Sequence, residues 1–274
     1  MSIRIENVVL ASPEQMMFII QGLRNPMNSY AKSDSKVKHA DIGICGKFTV
    51  GPNDRSLMQK LAKAGTDHRK FMRMMPVYVR ITAPLYWWKE MDTYKVGTVA
   101  NSCSTMHKIA EKEFTLEDFS CDRLTNRTVK RLKEDIYELN FWRDAFNCKT
   151  DEERNLYFAN SNWNDTYIPT KKDCWWQMIQ LLPSSYNQTR NVMLNYEVLA
   201  NIYKSRKNHK LDEWRELCKW IETLPYSELI TEYTETIAKE SVVDILKTSH
   251  TDEEIVNKLC KLTGFDYGNQ TGGE

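Results

Sequence analysis

Residues 187–207, NQTRNVMLNYEVLANIYKSRK, constrain the fold more than any other stretch of the chain. Val192, Met193, Leu194, Tyr196, Val198, Leu199, Ile202 and Tyr203 put apolar side chains at nearly every angle around a helix axis. A helix here is buried on most sides, so the rest of the chain must be arranged around it. Asn191, Asn195 and Asn201 lie in the same run. An amide left without partners in such surroundings costs on the order of 1–3 kcal/mol, so each must bond something. At about 100° per residue, Asn195 and Arg206 fall within roughly 20° of one another while Asn201 points roughly 120° away. Two directions of polar contact suit a helix at a subunit junction; they equally suit asparagines that cap neighbouring loops.

What surrounds such a helix is read from the remaining pattern. IRIENVVL alternates as a strand, and SPEQMMFIIQGLR follows it with Ser12 as cap and Pro13 at the first helical position. Residues 31–54 read as a loop with at most a short strand at 47–50, followed by a helix over 54–64 that stops at Gly65. MMPVYVRITAP predicts a strand over 77–82. Val129, Leu132, Ile136, Leu139, Trp142 and Phe146 recur at three- and four-residue steps and predict an amphipathic helix over 125–146. Residues 147–170 look like a long connection, and helices are expected over 171–182, 187–207, 211–224, 226–247 and 251–263. No repeat and no linker is visible, so 1–265 is expected to form one domain, with 266–274 a disordered Gly-rich tail.

Charge and cysteine usage narrow the class. Lys plus Arg number 38 against 37 Asp plus Glu, which excludes the global field of a nonspecific nucleic-acid binder. Seven cysteines without a C-x-x-C spacing argue against a zinc site or a disulfide framework and favour a reducing, cytoplasmic setting. No run approaches the roughly 20 apolar residues of a membrane span, and MSIRIENVVL lacks the pattern of a secretion signal. WWKEMDTYKVGTVANSCSTMH, residues 87–107, is the segment least like core. Thr98, Asn101, Ser102, Ser104 and Thr105 compete with their own backbone in a helix, so a polar partner is expected there, with Asn101 or Ser102 capping a helix through SCSTMHKIAEKE. Trp87 and Trp88 read as core or subunit interface, and Cys103 has no neighbouring His/Asp arrangement that marks a nucleophile.

From LLPSSYNQTRNVMLNYEVLANIYKSRKNHKLDEWREL the chain resembles the flavin-dependent thymidylate synthases. Leu182, Pro183, Thr189, Asn195, Leu199, Asn201, Arg206 and Glu213 fall at that family's spacing, while Glu197 stands where the family has an arginine. AKAGTDHRKF resembles its Gly-His segment, with His68 as the histidine, and VYVRITAPLYWW resembles the strand and Ala-Pro before its signature Arg-His-Arg-x-x-Ser-x-Asn-Glu-x-Ser-x-Arg. Thr93, Tyr94 and Lys95 fall on the Arg-His-Arg and Thr98 on the first serine. One inserted residue then brings Asn101, Ser102, Ser104 and Met106 onto the Asn, Glu, Ser and Arg. The signature survives only in fragments, and Met106 supplies no charge.

The resemblance implies an α/β (α+β) fold, a small mixed or antiparallel sheet packed with a majority of helices, assembled as a homotetramer. It implies one-carbon transfer to C5 of dUMP from methylenetetrahydrofolate, with FAD or FMN as hydride carrier and NADPH as reductant, and no metal. His68, Lys95, Thr98, Asn195 and Asn201 are the implied cofactor residues. Asn101, Ser102, Ser104 and Arg206 are the implied substrate residues, and Arg206 is the implied catalytic one. A non-catalytic nucleotide- or protein-binding module that retains the fold is the alternative.

Overall fold

The structure, a computed structural model, describes residues 3–38, 46–161, 163–232, 245–249 and 251–263. In chain order its elements are β1 (Arg4–Leu10), α1 (Pro13–Arg24), β2 (Lys36–Lys38), β3 (Lys47–Thr49), α2 (Pro52–Lys63), α3 (Lys70–Arg73), β4 (Pro76–Pro84), α4 (Leu85–Met91), β5 (Val99–Ser102) and α5 (Thr105–Lys108). They continue with α6 (Asn126–Asn147), α7 (Asp151–Asn160), α8 (Lys171–Leu181), β6 (Asn187–Asn195), α9 (Tyr196–Arg206), α10 (Asp212–Glu222) and a last helix, Asp252–Thr263. The expected helix over 226–247 falls largely on residues outside those described, as does the tail.

The chain forms two compact units, one of Met1–Leu10, Pro76–Leu194 and Lys210–Leu217, the other of Ala11–Met75, Asn195–His209 and Cys218–Glu274. The first holds a four-stranded sheet in the order β1-β4-β6-β5. β1 pairs antiparallel with β4, Arg4 opposite Thr82 and Val9 opposite Tyr78, and the register slips between Glu6 and Val9 where Asn7 takes a φ of 51°. β5 pairs antiparallel with β6, Val99 opposite Met193 and Ser102 opposite Arg190. On β4, Val77, Val79, Ile81 and Ala83 are buried while Tyr78 and Arg80 are exposed, the period of two that the sequence predicts. Trp87 and Trp88 are core: the Trp87 ring lies 4.8 Å from both Trp88 and Trp214, and the Trp88 indole N–H donates to the Gln188 carbonyl at 2.9 Å. α6 buries Leu132, Ile136, Leu139, Trp142 and Ala145 together with Phe158 of α7 and Cys174 and Met178 of α8.

Four expectations are corrected. Residues 187–195 are a strand, so the apparent all-round apolar helix is two elements read as one: Gln188, Val192 and Leu194 alternate inward on β6 before α9 begins. Asn195 and Arg206 therefore do not share a helix face. Residues 31–54 contain a hairpin, Lys36 opposite Thr49 and Lys38 opposite Lys47. The 147–170 connection contains α7, started by Thr150, whose hydroxyl accepts from the Glu153 N–H. The helix after Ser102 is a single turn capped by Ser104, with Asn101 and Ser102 held in β5.

In the second unit α1 starts with a full capping box between Ser12 and Gln15. Its far end carries Arg24, buried against Asp54 at 2.5 Å. Asp54 also accepts from the hydroxyls of Ser33 and Ser35 and the backbone N–H groups of Asp34 and Ser35. This network ties α1 to the start of α2 and to the chain leading into the hairpin.

Candidate functional site

A cavity of about 700 Å³ lies in the first unit. Thr82 of β4 and Asn187 and Thr189 of β6 form part of its wall, Phe119 and Tyr186 supply aromatic surface, and the turn after β5 contributes Cys103 and Ser104. The Thr82 and Thr189 hydroxyls hydrogen-bond at 2.7 Å, and Arg4 reaches Thr82 at 3.5 Å. The Ser104 hydroxyl accepts from the His107 N–H at 3.2 Å.

Three cations line the cavity, each with an intrachain carboxylate. Arg4 pairs with Glu6 at 2.9 Å, Lys112 with Asp118 at 2.8 Å, and Lys108 with Glu111. The bond to Glu111 holds the Lys108 ammonium above its usual range. All three cations are more than half exposed, and exposed pairs contribute about 0–1 kcal/mol.

Of the residues expected from the 93–106 signature, the structure brings only Ser104 to this cavity. Asn101 lines a shallower hollow of about 320 Å³ with Arg80, Asn191 and Tyr78, where Arg80 donates to the Asn191 side chain at 3.0 Å. Ser102 is exposed on β5 and Lys95 is exposed in the preceding turn, while the Thr98 hydroxyl is buried with no hydrogen-bond partner. Met106 is 47% exposed; its carbonyl accepts from the Trp175 indole at 2.9 Å.

The second unit carries the other expected residues. Asn195 caps α9, its side-chain oxygen accepting from the Val198 N–H at 3.0 Å, which leaves its NH2 group for another partner. Asn201 is exposed along α9, and Arg206 lies in the last turn, where a cation suits the helix dipole. His68 is exposed after Gly65, whose φ of 103° is a conformation that favours glycine.

Beside His68 the structure shows what the sequence reading missed. Arg69 is 1% exposed and Glu197 7%, and they form a buried ion pair at 3.2 Å. The second carboxylate oxygen of Glu197 is buried with no hydrogen-bond partner. Burial pushes the Glu197 carboxyl up, against the opposing pull of Arg69 and Arg73. An acid in the first turn of α9, among Tyr196, Val198, Leu199 and Ala200, was the available signal that a cation had to lie opposite. Arg4, Lys108, Lys112 and Asn187 were also missed, because Arg4 and Asn187 reach the cavity only through strand pairing.

The fold thus defines a class: an α+β protein with a small antiparallel sheet and a majority of helices. No family model matches the sequence, and no curated protein matches it. Among solved structures, the chain is similar to thymidylate synthase X from Helicobacter pylori with FAD and dUMP. Identity is 16%, over 86% of this chain and 100% of that chain, with a TM-score of 0.51. A second structure of that flavin-dependent enzyme, complexed with FAD and dUMP, is 17% identical over 85% of this chain and 99% of that one, with a TM-score of 0.49. The UMP/dUMP methylase PolB from Streptomyces cacaoi, bound with 5-Br dUMP, is 11% identical over 87% and 95%, with a TM-score of 0.47. The chain has a fold similar to that of thymidylate synthase X.

Proposed function

We propose that this chain transfers a one-carbon unit to C5 of dUMP with the help of a flavin. The observation that carries the reading is the fold shared over the full length of thymidylate synthase X, whose structure holds FAD and dUMP. The cavity supports it: about 700 Å³ is within the range that encloses a small ligand, and its wall combines aromatic surface with a few polar groups. Ser104, Lys108, Lys112 and Arg4 supply hydroxyl and cationic donors for a phosphate. Asn101 and Ser102 are the further substrate candidates on β5, and Arg206, able to act as a bidentate donor, is the candidate on α9.

His68, Asn195 and Asn201 are hydrogen-bonding groups that fit the polar edge of a flavin ring; Lys95 and Thr98 are the remaining cofactor candidates. Glu197 has the wrong sign for a diphosphate, so any FAD must place its diphosphate against other groups. When bound, the reduced flavin supplies hydride, methylenetetrahydrofolate the carbon, and NADPH the reducing equivalents. The chain's own task is to bind and orient. Purified protein should carry the visible absorbance of an oxidised flavin, or take up FAD or FMN in a fluorescence titration; colourless protein that binds neither refutes the flavin. Arg206→Ala should weaken dUMP binding by at least ~1.5 kcal/mol in calorimetry, and unchanged affinity with the fold intact would make the arginine structural.

Met106 and the buried Glu197 favour a second reading, in which the fold is retained for nucleotide or protein binding without catalysis. Uptake of dUMP without flavin would select it. A homotetramer is part of the first reading, and light scattering on the purified chain tests it.

A further inference from the structure

The segment from Cys103 to Cys121 supplies the larger part of the cavity's lining, Lys108 and Lys112 included. Both of its ends are paired to the chain in and before β6. The Cys103 N–H donates to the Thr189 carbonyl at 3.0 Å, the Gln188 side chain donates to the Cys103 carbonyl at 3.0 Å, and the Ser120 N–H donates to the Ser185 carbonyl at 2.8 Å. Between those ends the regular structure is only α5 and a 3-10 turn over Leu116–Asp118, so the backbone needs partners from elsewhere. Two come from α6. Asn147 donates to the Ala110 carbonyl at 2.9 Å, and Asn140 both accepts from the Phe114 N–H and donates to the Phe114 carbonyl, each at 2.9 Å. Seven residues separate the two asparagines, two turns of helix, so they face the segment from one side of α6.

Lys112 lies between the two residues held in this way, two positions from each. Its ammonium pairs with Asp118 at 2.8 Å, and Asp118 in turn accepts from the Thr115 N–H at 2.8 Å and the Thr115 hydroxyl at 3.0 Å. Resting on the nucleotide reading above, we propose that Asn140 and Asn147 are positioning residues: by pinning the backbone on either side of Lys112 they hold its ammonium at the cavity wall to meet the phosphate of the bound nucleotide. Lysine is a point charge on a flexible stem, so the freedom it loses on meeting an anion weakens binding. A backbone fixed on both sides removes part of that loss before the ligand arrives. Arg4 reaches the same cavity from β1, where its backbone is held by pairing with β4, Arg4 opposite Thr82. Two cations of one cavity are therefore placed by different parts of the fold, and only one of them depends on α6.

The test is a pair of double-mutant cycles read by calorimetry with 2-deoxyribose 5-phosphate, the base-free part of dUMP. Asn140→Ala is combined with Lys112→Ala in one cycle and with Arg4→Ala in the other, with thermal melts as a check of folding. Asn140→Ala should weaken the ligand about fivefold and Lys112→Ala about tenfold, while the variant carrying both should be no weaker than Lys112→Ala alone, because the amide acts through the lysine. In the Arg4 cycle the losses should multiply. A merely structural asparagine would weaken the site whichever cation remains, so losses that multiply in both cycles overturn the inference, as does Asn140→Ala that binds like wild type. If Asn140→Ala does not fold, Asn147→Ala, which gives up a single bond, takes its place in both cycles and is judged in the same way. Measuring dUMP on the same proteins separates the inference from the reading beneath it. Binding of dUMP that is equal in wild type, Lys112→Ala and Arg4→Ala overturns the inference and leaves the dUMP reading intact. Coupling to Lys112 in a protein that takes the base-free phosphate and not dUMP upholds the inference and refutes the dUMP reading. Wild type that binds neither overturns both.

Discussion

Two regions of the molecule use the same chemical pair, a cation and a carboxylate, in opposite ways. Around the cavity of the first unit, Arg4–Glu6, Lys108–Glu111 and Lys112–Asp118 are exposed on at least the cationic side. In the second, Arg24–Asp54 and Arg69–Glu197 are each more than nine-tenths buried. An exposed pair gains little over hydration, so a ligand can take the place of either partner. Members of a buried pair have lost their water and are committed to each other. The contrast marks the cations around the cavity as open to exchange, and Arg24 and Arg69 as parts of the scaffold.

The largest loss of stability is expected at Asp54. Asp54→Ala leaves the Arg24 guanidinium buried and removes the acceptor of the Ser33 and Ser35 hydroxyls, so it should cost about 3–5 kcal/mol in urea unfolding. Burial pushes the Asp54 carboxyl up, but bonds from Ser35, Ser33 and Arg24 outweigh it and hold it below its usual value. A depressed carboxylate stabilises the fold above the unfolded pKa and loses that contribution as pH falls through the folded one. Acid titration of wild type should therefore show a loss of stability below about pH 4 that the alanine variant lacks.

Arg69–Glu197 sharpens the point, because this pair is less well satisfied. With one oxygen unbonded and the carboxyl pushed up by burial, ionisation of Glu197 costs stability: its contribution is complete below the unfolded carboxylate range and declines as pH rises through the folded pKa. Glu197→Ala alone removes the carboxylate paired with the buried Arg69 and should lose about 3 kcal/mol. The Arg69→Met/Glu197→Met double variant should recover to within about 1 kcal/mol of wild type in the same unfolding assay. A double variant as unstable as the single one would show that the charges are required for packing and not merely for each other.

These pairs also show where the sequence was legible. Capping and period carried the helices: Ser12 with Pro13 starts α1, and the recurrence from Val129 to Phe146 marks α6. Residues 187–207 were misread because a nine-residue strand of period two abuts an eleven-residue helix, and together they fill every angle of a helical wheel. Asn195 at the junction is the cap that divides them, a signal present in the sequence but read as a buried amide. At the candidate site, Ser104 was legible from hydroxyl-rich spacing. Arg4 and Asn187 were not, because they lie 183 residues apart and reach one cavity through β1, β4 and β6. Pairing across a sheet leaves no local trace in either strand.

The smallest expected effect on stability tests the exposed side of the comparison. Lys108 and Glu111 are both more than half exposed, three residues apart, and bonded to each other. Glu111→Gln should change unfolding stability by less than about 0.5 kcal/mol, since little is gained by such a pair in water. Its effect on binding should be of opposite sign to that of losing the lysine. With the competing carboxylate gone, Lys108 is free to meet a phosphate, so Glu111→Gln should tighten 2-deoxyribose 5-phosphate two- to threefold, a change of about 0.5 kcal/mol. Lys108→Ala should weaken the same ligand about tenfold, and raising the salt concentration should shrink both differences. Calorimetry at two ionic strengths measures all of this on one ligand. If Glu111→Gln destabilises the fold by more than about 1 kcal/mol, the pair belongs with Arg24–Asp54 as scaffold. If neither substitution alters affinity, the cations of this cavity are surface charge and the phosphate must be held elsewhere.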